Sequence, residues 1–435
     1  MNCHKNKIMK RRTFIKNSLL TTGILGSAGT VIGQNILLDA VSEEDAKVEV
    51  IKITSGSKQH WAGYYDKLLV NPSGRYALAG EVEAFFRSPT INDVLNVGII
   101  DLENGCEWKK IGESRSWGWQ QGCMMQWIPG SKSDVIWNDL GEKGWVSHIY
   151  NVKTGKTLTL PNPVYTLSSD GKFAISLDFE RVQRFRPGYG YPVKKTRENW
   201  VKAPDDQGIY KVDLKTGKSK LLITNKQTVS LPRERGSVAN DYHWFNHLLI
   251  SPDCERFFFL DRSRPKLEGN GFFTRAMTAD IDGGNIYRLN DEGSFSHFIW
   301  KGNDAIAAWA APDEGGSRGF YVFPDKTHDC NQIGKDIMVT NGHITYVPHT
   351  NYEWILNDTY PQGEERLQEL YLFHVPTSRK ITLGKFHEPK EFRGEWRCDL
   401  HPRCDQQGKR VFFDSTHEGG KRQVYMVDIS GIIGH

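Results

Sequence analysis

Apolar and polar positions alternate with a period of two through most of this chain, the pattern of half-buried β-strands. Residues 47–53, Lys-Val-Glu-Val-Ile-Lys-Ile, show it first. A unit then recurs: a turn signal, an apolar strand, a gap, and a second strand that ends in a polar turn. Asn71-Pro-Ser-Gly74 precedes strands at 75–79 and 97–102, and Ile128-Pro-Gly130 precedes 134–137 and 148–153. Ser168-Ser-Asp-Gly171 precedes 173–177 and 208–214, and Ser251-Pro-Asp253 precedes 256–260 and 285–289. Three looser copies follow, at 302–323, 348–373 and 405–428.

These seven units recur at about the 40–50 residues that one propeller blade occupies. No long amphipathic helix interrupts them. The pattern predicts an all-β fold, a seven-bladed β-propeller over residues 43–435, with the strand at 47–53 completing the last blade and removing its open edge. Two β-sandwiches would need a linker, and the sequence has none. The inserts at 181–205 and 226–242 are rich in Arg, Pro, Gly and Tyr, and long loops on a rigid ring are where ligands are handled.

The 435 residues carry a net charge of +4, too little to argue for nucleic acid. A mildly basic surface suits an acidic substrate. The 13 Trp and 16 Tyr serve either as sugar-stacking faces or as β-core filling.

Residues 1–42 read as an export leader. Lys10-Arg-Arg-Thr-Phe-Ile-Lys16 matches a twin-arginine signal, followed by an apolar run, 18–32, too short and glycine-rich to span a membrane stably. The expected location is the periplasm or the exterior, with the mature chain starting between Gly33 and Glu43.

The densest chemistry is Glu395-Trp-Arg-Cys-Asp-Leu-His-Pro-Arg-Cys404. Cys398, His401 and Cys404 have ligand-like spacing for a borderline-soft cation such as zinc; a Cys398–Cys404 disulfide or inert thiols are the alternatives. His247, His297, His343 and His401 fall near equivalent points of successive units. Equivalent points converge on the axis of a propeller, so these histidines with Cys398 are candidate ligands of one divalent metal, with zinc the expected ion. Trp117, Trp119, Gln120 and Gln121 form either a sugar platform with amide hydrogen bonds or packing between blades.

Tyr165 and Arg181 flank one hairpin-like run, and Arg186 follows in the same basic stretch. A guanidinium that neutralises a carboxylate, beside an ionisable phenol, is what β-elimination from a uronic acid requires.

The twin-arginine leader, the Trp117–Gly122 run, Asn246-His247, Gly342-His343 and Arg397-Cys-Asp-Leu-His-Pro-Arg403 together resemble the seven-bladed propeller polysaccharide lyases that cut ulvan. The resemblance implies that Tyr165 acts as catalytic acid or base, that Arg181 neutralises the carboxylate, and that a zinc held by His and Cys is structural. One departure stands out. Those lyases use two histidines upstream of the Tyr, whereas this chain has Asn92, Asp93, Gln120 and Gln121 there and no His between His60 and His148. The related ulvan-oligosaccharide dehydratase, which expels water rather than a sugar, fits that departure, with His243 supplying the missing proton chemistry. The expected substrate is thus an anionic oligosaccharide, with Arg186 and Arg397 among its contacts. A non-catalytic glycan- or protein-binding propeller and a metal-dependent hydrolase are the rival readings.

Overall fold

The computed structural model describes residues 43–434, apart from 84, 232, 234–236, 270 and 314–315. The expected leader lies outside the described residues. Each recurring unit forms one antiparallel sheet whose four strands follow in chain order, and there are seven such sheets. Blade 1 comprises Gln59–Trp61, Tyr76–Val82, Leu95–Asp101 and Glu107–Ser114; blade 2 comprises Gln126–Trp127, Asp134–Leu140, Trp145–Asn151 and Thr157–Leu160. Blade 3 comprises Thr166–Leu167, Phe173–Leu177, Gly208–Asp213 and Ser219–Thr224. Blade 4 comprises Tyr242–Ile250, Arg256–Arg264, Phe273–Asp280 and Tyr287–Asn290, and blade 5 Phe295–Lys301, Ala305–Ala310, Gly319–Pro324 and Asn331–Ile333. Blade 6 comprises Thr345–Tyr346, Trp354–Asp358, Leu367–His374 and Arg379–His387.

Blade 7 takes Arg403–Cys404, Arg410–Ser415 and Gln423–Asp428 from the end of the chain and Val50–Lys52 from its beginning. Val50 pairs with Val427 and Lys52 with Tyr425, antiparallel, so the expected closing strand forms, covers the edge of Gln423–Asp428 and becomes the outer strand of blade 7. Just upstream, Glu43–Asp45 runs parallel along Arg379–His387 and gives blade 6 a fifth strand. The segment 43–54 therefore ties two neighbouring blades.

The apolar faces of these strands are buried between blades rather than within one central core. One cluster, holding Leu78, Val97, Trp127 and Val135, joins blades 1 and 2 and also takes Phe412 and Val424 from blade 7. Another joins blades 6 and 7 through Leu372, Phe386, Phe413 and Tyr425. Because side chains alternate across a strand, each sheet offers one face to each neighbour.

The expectation differs in two places. In blade 4, the stretch at 285–289 was expected as the second of the unit's two strands; it forms the outer strand, and Phe273–Asp280 lies between it and Arg256–Arg264. Within the 181–205 insert, a short helix, Phe179–Phe185, starts where Asp178 accepts a hydrogen bond from the Arg181 main-chain N–H. No helix among the described residues is long and apolar enough to cross a membrane.

Candidate functional site

The entries to the first strands all lie at one end of the blades, and there one side chain from each blade meets its neighbours. Tyr64 comes from blade 1, Gln121 from the entry to blade 2, Tyr165 from blade 3, His247 from blade 4, His297 from blade 5, and His343 and His401 from the entries to blades 6 and 7. Tyr64 stacks on His247 with ring centroids 4.9 Å apart and lies 4.9 Å from His401. His297 and His343 are 4.2 Å apart, and His343 and His401 4.4 Å. Gln121 Nε2 donates to Tyr165 Oη at 2.7 Å and meets His247 Nδ1 at 3.1 Å.

Backbone conformation helps bring the histidines together. His247, His297 and His401 have φ of 51°, 41° and 46°. The strand register slips between Asn246 and Leu249 and between Ser296 and Phe298. Left-handed backbone at a non-glycine residue costs about 1 kcal/mol or more and gathers at functional sites. Three of the four expected histidine ligands carry it.

These imidazoles are buried among one another, and burial lowers the pKa of His247, His297 and His401 well below the usual value. They are therefore neutral near pH 7, the form that binds a metal or accepts a proton. His343 Nδ1 lies 3.0 Å from both Asp358 oxygens, which leaves Nε2 as its available nitrogen. His401 Nε2 is buried with no hydrogen-bond partner among the described residues and lies 3.8 Å from an Asp399 oxygen. The donor atoms of His343, Asp399 and His401 all lie within 4.8 Å of one another. An orphaned imidazole nitrogen beside a carboxylate and a second, oriented imidazole fits a divalent cation. A nitrogen–oxygen set of this kind suits zinc and manganese alike.

Beside this cluster a cavity of about 240 Å³ is lined by Arg186, Tyr189, His247, Arg262, Phe272, His297, Trp309, Arg318 and Tyr360 among others. Arg262 is 4% exposed, and among the described residues its Nε and Nη1 donate to nothing and no carboxylate pairs with it. Burial, then the neighbouring Arg186, pulls its pKa down to about 10. Arg186 Nε is also unpartnered. The two guanidinium groups lie 4.7 and 5.2 Å from the same Phe272 ring.

Tyr189 stands between cavity and cluster. Its phenol accepts from Arg397 Nη2 at 2.7 Å, and its ring meets His247 edge-on. Burial alone raises the phenol's pKa; Arg397 and Arg186 outweigh it, so the net shift is downward. The loop holding Tyr189 has no slack, since a Cβ on Gly190 would sit 2.2 Å from the Phe179 carbonyl oxygen.

The sequence-derived candidates divide. His247, His297, His343, His401, Gln121, Tyr165 and Arg186 do meet at this end of the ring. Tyr165 is fully buried, and burial raises its pKa well above the usual range. Arg181 is not brought beside it: the guanidinium donates to the carbonyls of His243, Val201 and Lys202 and is used up in holding the insert. His243 is buried between the Asp261 carboxylate at 3.0 Å and the Val238 carbonyl at 2.8 Å, away from the cavity. Trp117 and Trp119 are buried and donate to the carbonyls of Asp93 and Arg87, the packing alternative rather than a platform. Gln120 donates to the carbonyls of Glu395 and Arg397, and so clamps that segment. Arg397 is committed to Tyr189 and Asp399. Cys398 lies outside the converging donor set, and Cys398 and Cys404 are both free thiols. Tyr64, Tyr189, Arg262, Tyr360 and Asp399 were missed. Asp399 sat inside the stretch already singled out for its metal-like spacing.

No protein-family model matches this chain, and no curated protein matches it in sequence. Among solved structures, an oligogalacturonate lyase in complex with manganese matches with a TM-score of 0.62 at 16% identity, covering 90% of this chain and 96% of that one. An oligogalacturonate lyase from Vibrio parahaemolyticus matches with a TM-score of 0.60 at 15% identity, covering 89% and 95%. At such identities the likeness is one of fold, the seven-bladed β-propeller.

Proposed function

We propose that this propeller is a carbon–oxygen lyase that carries out β-elimination on uronic-acid-containing oligosaccharides and leaves a 4,5-unsaturated uronyl group at the non-reducing end. The observation that carries the reading is the Arg186–Arg262 pair: two neighbouring cations with unused donors and, among the described residues, no carboxylate partner, opening on a cavity that reaches a phenol and neutral imidazoles. Such a pair calls for an anion, and guanidinium groups match a carboxylate's geometry. The oligogalacturonate lyases of like fold add support for the substrate class.

In this reading the uronyl carboxylate lies against Arg262 and Arg186, which neutralise it and make the C5 proton removable. Tyr189 takes that proton, its phenolate favoured by Arg397. The C5–H electrons form the C4=C5 double bond as the C4–O bond breaks. Tyr189, now a neutral phenol, returns the proton to the departing oxygen, while Gln121 donates to His247 Nδ1 and so places the neutral imidazole's N–H on Nε2 as a hydrogen-bond donor in the site. A divalent cation, zinc or manganese, fits His343, Asp399 and His401, and when bound it supplies positive charge beside the site. If the departing oxygen bears a sugar, the product is a shorter chain; if it is a free hydroxyl, the product is water. The natural glycan is taken to be ulvan-like and the enzyme to be exported by the leader at 1–42.

The deciding experiment is incubation with oligogalacturonate and with ulvan oligosaccharides. Conjugated-uronyl ultraviolet absorbance is expected, and mass spectrometry distinguishes chain scission from loss of one water. Scission without absorbance would mean hydrolysis, and saturable binding with neither would mean a binding propeller; either outcome overturns the reading.

A further inference from the structure

Arg397 makes two contacts that the elimination scheme uses only singly. Its Nε lies 2.8 Å from one Asp399 oxygen and donates to the other at 3.1 Å. Its Nη2 donates to Tyr189 Oη at 2.7 Å, and its Nη1 donates to the Gly394 carbonyl at 3.0 Å. One rigid, half-buried fork therefore spans the candidate cation ligand Asp399 and the phenol that faces the cavity. A guanidinium is planar and does not deform, so moving Asp399 moves the donor offered to Tyr189. The neighbouring segment is fixed independently: Gln120 Nε2 and Arg422 Nη2 both donate to the Arg397 carbonyl, so the main chain stays put while the side chain responds.

We propose that Arg397 is a positioning residue that couples cation binding at His343, Asp399 and His401 to the placement of the Tyr189 phenol. A cation on Asp399 fixes the carboxylate, the carboxylate fixes the guanidinium, and the guanidinium fixes the phenol over the Arg186–Arg262 cavity. Thermodynamic reciprocity requires the converse: loss of the phenol contact loosens the fork and weakens cation binding, although Tyr189 is not one of the three candidate ligands. The inference rests on the cation centre proposed above.

The test is a double-mutant cycle on manganese affinity, measured by calorimetry on the folded full chain with Arg397→Gln, Tyr189→Phe and the double variant. Circular dichroism and thermal melting show that each variant is folded. Loss of an outer partner of a metal ligand weakens binding about 10–100-fold, and that is expected for Arg397→Gln. Tyr189→Phe is expected to weaken it several-fold, and to have no further effect once Arg397 is Gln. Arg397→Lys restores charge without the fork and is expected to leave most of the loss in place. Unchanged affinity in Tyr189→Phe, or additive effects in the double variant, overturns the coupling. Absence of manganese and zinc binding by the wild-type chain overturns the cation centre instead.

Discussion

Arg262 and Arg186 share one Phe272 ring, at 4.7 and 5.2 Å, and neither is paired with a carboxylate among the described residues. Two like charges held this close in a partly buried cavity repel, and a bound anion relieves the repulsion. Arg262→Gln is therefore expected to lower kcat/KM on a uronate oligosaccharide by about 1000-fold, roughly 4 kcal/mol, while leaving the melting temperature equal to or above wild type. A variant that loses activity only by unfolding would argue against the carboxylate role.

Arg181 is expected to behave in the opposite way. Its guanidinium satisfies the carbonyls of His243, Val201 and Lys202. Arg181→Ala leaves those buried acceptors unpaired and is expected to destabilise the fold by about 2–4 kcal/mol in urea titrations. The fraction that remains folded keeps near-normal KM.

His243 carries the pH dependence of the same region. Both ring nitrogens face acceptors, the Asp261 carboxylate and the Val238 carbonyl, and Asp261 is also held by Arg275 at 3.1 Å. Burial opposes the charged imidazolium, but Asp261 outweighs it and the pKa rises. A raised folded-state pKa means that this group's stabilisation is fully present below the unfolded value of about 6.5 and is lost as pH climbs through the folded value. Urea midpoints are expected to fall above neutral pH in the wild-type chain, with a flatter profile in His243→Gln. An identical profile in the two proteins would show that His243 does not titrate this way.

Metal content tests the cluster by itself. Asp399→Asn and His343→Ala are each expected to reduce manganese or zinc retained after dialysis, measured by elemental analysis, whereas Cys398→Ser retains wild-type content. Loss of metal in Cys398→Ser would return the thiol to the ligand set.

Much of the fold could be read from period-two alternation because the turns between strands are chemically distinct. The strand expected at 173–177 forms as Phe173–Leu177, after a turn in which Ser168 and Asp170 hydrogen-bond to each other and to the chain. Phe273–Asp280 escaped notice because Arg275 and three other polar residues dilute its apolar pattern. The histidine ring was legible for a topological reason: each blade contributes one residue at the same point, so recurrence in sequence becomes convergence in space. Arg262 was not. An arginine in a strand reads as a solvent-facing position, and only the neighbouring blades and the 181–205 insert make this one buried. Arg181's placement was not legible, because helix Phe179–Phe185 carries it toward the main-chain carbonyls of His243, Val201 and Lys202, which have no signature in sequence.

The pairing of Val50–Lys52 with Gln423–Asp428 makes ring closure a late event in folding. Val50–Lys52 leaves the ribosome well before its partner Gln423–Asp428 is made. Until then blade 7 lacks its outer strand, and the inter-blade clusters that take nothing from Gln423–Asp428 can form ahead of closure, whereas those holding Val424 and Tyr425 cannot be completed. Closure is thus a terminal step of long sequence separation and high loop entropy. A chain cut short by even its final strand would keep its earlier blades and remain an open, edge-exposed arc.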